Sequence, residues 1–138
     1  MSLQWTRVQM KALLTGLKAA DATLDGAKVR LFMNDVTPDM DTVLGDLTTA
    51  TYTGYADSAD LVWGVPYVNS LGAVEMAAGS VEFSPSDDAA PCTIYGYAIL
   101  DEAAGLFAAE RIEPPFPMVA ADDNLIIVPR VSIKNPAV

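Results

Sequence analysis

No histidine occurs in the 138 residues, and there is a single cysteine, Cys92. The first absence removes Ser–His and Cys–His nucleophilic catalysis, together with the imidazole ligands on which most zinc sites depend. The second rules out an intramolecular disulfide. Bases are scarce too: eight stand against 18 acids, for a formal net charge of −10. Such a chain repels a phosphate backbone, so direct nucleic-acid binding would need a local basic patch. Long apolar runs are also missing. Stretches such as residues 125–128 fall far short of the ~20 residues that span a bilayer, and residues 1–10 hold Gln4, Arg7 and Gln9 rather than the apolar core of a secretory signal. Neither nucleic acid nor membrane is an expected partner, and no cofactor is expected.

What remains is apolar: 51% of the residues, with a mean hydropathy of +0.27. That is too apolar for disorder. A chain of ~150 residues folds as one domain and buries roughly 68–70% of its extended surface, so neither metal nor disulfide is needed to hold it. The surplus of apolar side chains points toward assembly. Charge is also segregated. Residues 1–30 hold five of the eight bases (Arg7, Lys11, Lys18, Lys28, Arg30) against Asp21 and Asp25, which leaves +3 there and −13 on the remainder. A basic arm and an acidic body attract each other or each other's copies; the alternative is a solvated helix face that contributes little.

Residues 6–20 read as the one helix, with Thr6 as N-cap and Met10, Leu13, Leu14 and Leu17 on one face at a period of about 3.6. Arg7, Lys11 and Lys18 fall within about 40° of one another on the same wheel, beside the apolar stripe. Trp5 is placed to staple the first turn. After Gly26 the pattern alternates. Val29, Leu31 and Met33 face one way along a half-buried strand. Residues 35–59 form a long Thr-rich loop with one helical turn near 39–44, and a loop of that length suggests an interface role. Strands are expected at 61–68, 73–77, 80–84, 92–100, 106–112 and 124–134, separated by turn clusters at 84–88 and 113–115. The strand at 92–100 is apolar on both faces and should be central, and Pro129 marks an edge or a bulge. The expected architecture is mainly β: a helical arm over 1–26, then a body over 27–138 built as an antiparallel sandwich or open barrel of six or seven short strands.

Paired carboxylates are the catalytic vocabulary still open: Asp35, Asp39 and Asp41; Asp57 and Asp60; Asp87 and Asp88; Asp101 and Glu102; Asp122 and Asp123. All fall in expected turns, where Asp caps the backbone, and acid–base work needs two carboxyls in unlike environments within a cleft. The loop carrying Asn34, Asp35, Asp39 and Asp41 lacks the spacing, central Gly and closing Glu of a calcium loop. Tyr52, Tyr55, Trp63, Tyr67, Tyr95 and Tyr97 offer either a sugar platform or core anchors. Cys92 reads as an inert buried thiol.

Three stretches stand in a recognisable order: Lys28-Val-Arg-Leu-Phe-Met-Asn-Asp-Val-Thr-Pro38; Leu44-Gly-Asp-Leu-Thr-Thr-Ala-Thr-Tyr-Thr-Gly-Tyr-Ala56; and Thr93-Ile-Tyr-Gly-Tyr-Ala98, continued by Ala109-Glu-Arg-Ile112 and Asn124-Leu-Ile-Ile-Val-Pro-Arg-Val-Ser-Ile133. Across roughly residues 28–134 this order resembles the small virion structural proteins of tailed bacteriophages and related environmental viruses. The sequence departs from that pattern at Leu47, where an aromatic is usual, and at 121–124, where a Gly-containing turn is common. The resemblance implies a non-enzymatic virion component, first a capsid decoration (cement) protein that stabilises the mature head, with a tail or fibre component that binds a host-surface glycan as the alternative. Its implied partners are the major capsid protein and copies of itself, with a trimer as the expected oligomer. The interface residues expected on that reading are Arg7, Met10, Lys11, Leu13, Leu14, Leu17 and Lys18.

Overall fold

The computed structural model describes residues 6–88 and 92–133. Trp5, Pro91 and Lys134, and with them the expected staple, lie outside the described residues. Among the described residues the chain is mainly β with one α-helix, and the strands form three antiparallel sheets with no closed barrel.

Helix α1 runs Arg7–Lys18, two residues short of the expected end. Ala19 turns extended (ψ 160°) and Asp21 adopts a left-handed φ of 62°. The main sheet has β1 (Lys28–Phe32) and β6 (Leu106–Met118) on either side of β5 (Cys92–Leu100). β5 is central, as its two apolar faces require, and five of its last six residues fall below a tenth exposed. A second sheet orders β2 (Tyr67–Val68), β3 (Val74–Ala77) and β8 (Arg130–Ile133), and a third pairs β4 (Val81–Phe83) with β7 (Leu125–Ile127). Eight strands arise where seven were expected because Pro129, which has no N–H to donate, splits the last one. Pro129 is fully buried in that break, and its carbonyl accepts from Ala78 N at 2.9 Å. At this corner the chain leaves β4's partner and becomes β3's.

Three expectations are corrected. The strand expected at 61–68 is reduced to β2, Tyr67–Val68, with Trp63 making an isolated bridge to Ala78. The 113–115 cluster does not end a strand: β6 continues through the cis Glu113–Pro114 bond to Met118, its register jumping from Gly96 opposite Arg111 to Ile94 opposite Phe116. Prolines are tolerated here because the strand is an edge, where one side of the backbone has no ladder to serve. The helical turn lies at Leu44–Asp46 rather than 39–44. Asp39 and Thr42 instead close their own side-chain turn, with Asp39 N donating to Thr42 Oγ1 at 2.8 Å and Asp41 N to Asp39 Oδ1 at 2.9 Å.

Gly96 lies at the tightest point of the main sheet. A Cβ there would sit 2.2 Å from the Glu110 carbonyl oxygen and 2.3 Å from Phe32 Cζ, so the Phe32 ring and strand β6 both close on bare backbone. Gly54, in the Thr-Gly-Tyr element, has a φ of +83° and a Ser86 side chain within 2.6 Å of where a Cβ would be. That glycine lets the long loop dock on the turn after β4, sealed by Ser86 N donating to Thr53 O at 3.0 Å.

Candidate functional site

Helix α1 carries all of the expected interface residues, and the structure divides them. Thr6 caps the helix as its side chain predicts, with Oγ1 accepting from Gln9 N at 3.2 Å. Met10 and Leu14 are fully buried and Leu17 packs partly against the same core. At about 1.5–3 kcal/mol for each fully buried side chain, they fasten the helix to the chain's own β3 face and are not available to a partner. Leu13, by contrast, is 45% exposed. The apolar stripe is therefore split: three residues serve the fold and one faces outward, while Val8, 74% exposed, projects from a different side of the helix.

The basic residues lie differently. Arg7 and Lys11 are exposed, and Lys18 Nζ donates to the Gly64 carbonyl at 2.9 Å. Arg7 Nη2 lies 3.7 Å from the position of a Cβ on Gly72, so the helix extends along the segment from Gly64 to Gly72. The four bases described elsewhere each meet a carboxylate: Lys28 with Asp60, Arg30 with Asp57, Arg111 with Asp35 and Glu113, Arg130 with Glu75. Among the described residues, the three bases of α1 make no ion pair. Arg7 also sits in a first turn that holds no acid, where the positive end of the helix dipole disfavours a cation by about 0.3–1 kcal/mol. Lys18 in the last turn is the one base of the three that the dipole favours.

Of the carboxylate clusters, Asp35, Asp57 and Asp60 pair with bases, and several of the others serve the backbone. Asp123 Oδ2 accepts from Val119 N and Ala120 N, both at 2.8 Å, which holds its carboxyl below the usual carboxylate range. Asp101 Oδ1 takes Gly105 N at 2.8 Å and Asp88 Oδ1 takes Ala121 N at 3.0 Å. No cluster of His, Cys, Asp and Glu able to hold a metal ion occurs among the described residues.

The aromatic platform is largely internal. Tyr52 and Tyr97 are buried, and burial pushes the Tyr52 hydroxyl up to about 12. Tyr55 stands edge-on to Tyr52 and stacks on Phe83, while Trp63 Nε1 donates to Leu24 O at 3.2 Å. Tyr67 is 39% exposed, and its hydroxyl is bonded to Glu75. Cys92 is buried, with Sγ 3.7 Å from Met33 Sδ.

Two features went unread in the sequence. The first is a network under the long loop: Arg30 grips Asp57 with Nε and Nη2 (2.8–3.1 Å), and the Tyr55 hydroxyl donates to Asp57 Oδ1 at 2.9 Å while accepting Leu31 N at 2.9 Å. Burial alone would raise the Asp57 carboxyl, but the bonds from Arg30 and Tyr55 outweigh it and hold it below the usual range. The second is Arg111, which lies over the Tyr95 ring at 5.4 Å, pairs with Asp35 and reaches Val36 O, pinning the start of the long loop to β6. An arginine within a strand was the available signal for each.

A scan against protein-family models, a search of curated proteins and a search of solved structures each returned no match.

Proposed function

We propose that the chain is a non-enzymatic virion structural protein, a capsid decoration protein whose helix α1 docks on an acidic surface of the shell. The observation that carries the reading is the set of three cations on α1 that no carboxylate among the described residues neutralises, on a chain whose net charge is −10. Internal ion pairing satisfies every other described base, so these three are the charge left for another molecule, and they orient docking more than they tighten it. Val8, exposed on the helix three residues before Lys11, supplies the apolar contact beside them. Head stabilisation then follows from linkage: a protein that binds the mature lattice better than its alternatives stabilises it.

The glycan-binding tail or fibre reading loses support because Tyr52 is buried and Tyr55 is engaged in the interior. The test is co-sedimentation with purified particles. The triple variant Arg7→Glu, Lys11→Glu, Lys18→Glu is expected to lose attachment while keeping the β-rich circular dichroism of the parent; undiminished attachment would refute the reading. Copies per virion add a second check, since hundreds fit a head protein and a handful a tail or fibre.

A further inference from the structure

The two edges of the main sheet are treated differently. Along β1, residues 48–61 run beside the strand and occupy its outer backbone: Met33 N to Thr48 O, Ala50 N to Leu31 O, Ser58 N to Val29 O and Leu61 N to Ala27 O, at 2.8–3.0 Å. Side chains take two more groups, Val29 N on Ser58 Oγ and Leu31 N on the Tyr55 hydroxyl. Along β6, among the described residues, no backbone group of 106–118 bonds to anything beyond the β5 ladder. Alternate residues of an antiparallel edge aim N–H and C=O outward, so this is an unpaired template. The far half is blunted by Pro114, Pro115 and Pro117, whereas residues 106–112 contain no Pro, Gly or Lys.

We propose that residues 106–112 are a self-association edge, on which a second copy of this chain pairs antiparallel about a two-fold axis at Ala109 and extends the sheet from three strands to six. Electrostatics select the register and leave a strip that a second copy can face with no like charges opposed. Two chains of −10 repel each other, so a contact between copies belongs on a strip without surplus acid. Residues 103–109 are uncharged, and Glu110 and Arg111 cancel. An axis at Glu110 or at Arg111 would set that charge against its own copy, which is unfavourable for directly opposed residues. An axis at Ala108 would push Arg111 beyond the strand, opposite Gly105 in the turn. At Ala109, Ala108 faces Glu110 of the second copy, Arg111 faces Phe107 of the second copy, and two small side chains meet at the centre. A cleft of about 280 Å³ lined by Pro38, Asp39, Met40, Thr42 and residues 106–109 lies beside the edge, with Met40 fully exposed to cover what enters; Asp39 is its one acid, and its carboxylate is turned to Thr42 Oγ1 and Asp41 N. The unit is then a dimer rather than the trimer implied by the resemblance. This inference does not depend on the virion reading.

Sedimentation equilibrium of the full chain tests it. The apparent mass should rise toward two copies with concentration, and the association should strengthen with added salt, because screening weakens the −10 against −10 repulsion. Opposed Cα atoms in such a pair lie about 4.5–5.5 Å apart, within disulfide reach. Ala109→Cys should therefore oxidise to a covalent dimer faster than Glu110→Cys, and Ala59→Cys, on the covered edge, should not cross-link. Ala109→Lys, checked for native circular dichroism, should weaken association at least tenfold. A monomer at every concentration, association that survives Ala109→Lys, or a trimer whose Ala109→Cys variant fails to cross-link would each overturn the proposal.

Discussion

The edge at β1 and the edge at β6 flank the same central strand, yet one is closed by the chain's own loop and the other, among the described residues, has no backbone partner beyond β5. A long loop is costly to order, and here its ordering is repaid by hydrogen bonds to β1 and by burial of Tyr52 against the core. At β6 no such segment is spent. The contrast separates two uses of a sheet edge: at β1 it anchors the loop, and at β6 it is left for another chain.

The largest way to disturb this arrangement is at the strand both edges share. Gly96→Val would drive side-chain atoms into the Phe32 ring and the Glu110 carbonyl, and overpacking at a site closed on one side by backbone should cost about 3 kcal/mol or more. Urea unfolding reads this as a lowered midpoint. Next in size is the closed edge itself. Tyr55→Phe removes the hydroxyl that accepts Leu31 N, leaving a buried donor unpaired, with an expected loss of about 1–3 kcal/mol. If the loop contributed nothing to the β1 edge, this variant would match the wild type.

The third effect is a pH dependence. The Asp57 carboxyl is held below its usual value in the fold, chiefly by Arg30 once burial is overcome. A depressed folded pKa gives stability that is present above the unfolded value of about 4 and is lost as pH falls through the lower folded one. Asp57→Asn should therefore be less stable at neutral pH and show a shallower acid limb in thermal melts taken from pH 7 down to pH 2. The smallest effect belongs to the open edge: Ala109→Lys should change stability of the isolated chain by less than about 0.5 kcal/mol, even as it breaks self-association.

The contrast between edges also marks how far the sequence could be read. The helix cap at Thr6, the alternation of β1 and the central place of β5 follow from periods and propensities that act locally, and each appears as expected. The closed edge does not follow, because Ser58 and Tyr55 bond to strand residues 29 and 24 positions away, and Thr and Ser in an irregular run show no period that announces a partner. Pro114 and Pro115 misled for a related reason: proline ends a strand only where both sides of the backbone need partners, and edge status is a property of the sheet. On α1 the wheel placed Met10, Leu13, Leu14 and Leu17 together correctly, but a stripe records which side is apolar and not whether the chain itself or another molecule covers it. Burial of Met10 and Leu14 answers that for two of them, while the exposed bases beside them remain the readable part of the candidate site.

The buried corner at Pro129 has a mechanical consequence. Opposite it, the chain bends between β3 and β4, so both ribbons pass from one small sheet to the other as continuous covalent chain. Peeling β4 from β7 therefore also pulls on β3 and β8, so the two ladders are coupled through the covalent chain that joins them. The two small sheets are thereby tied together at this corner by two covalent crossings, one on each ribbon.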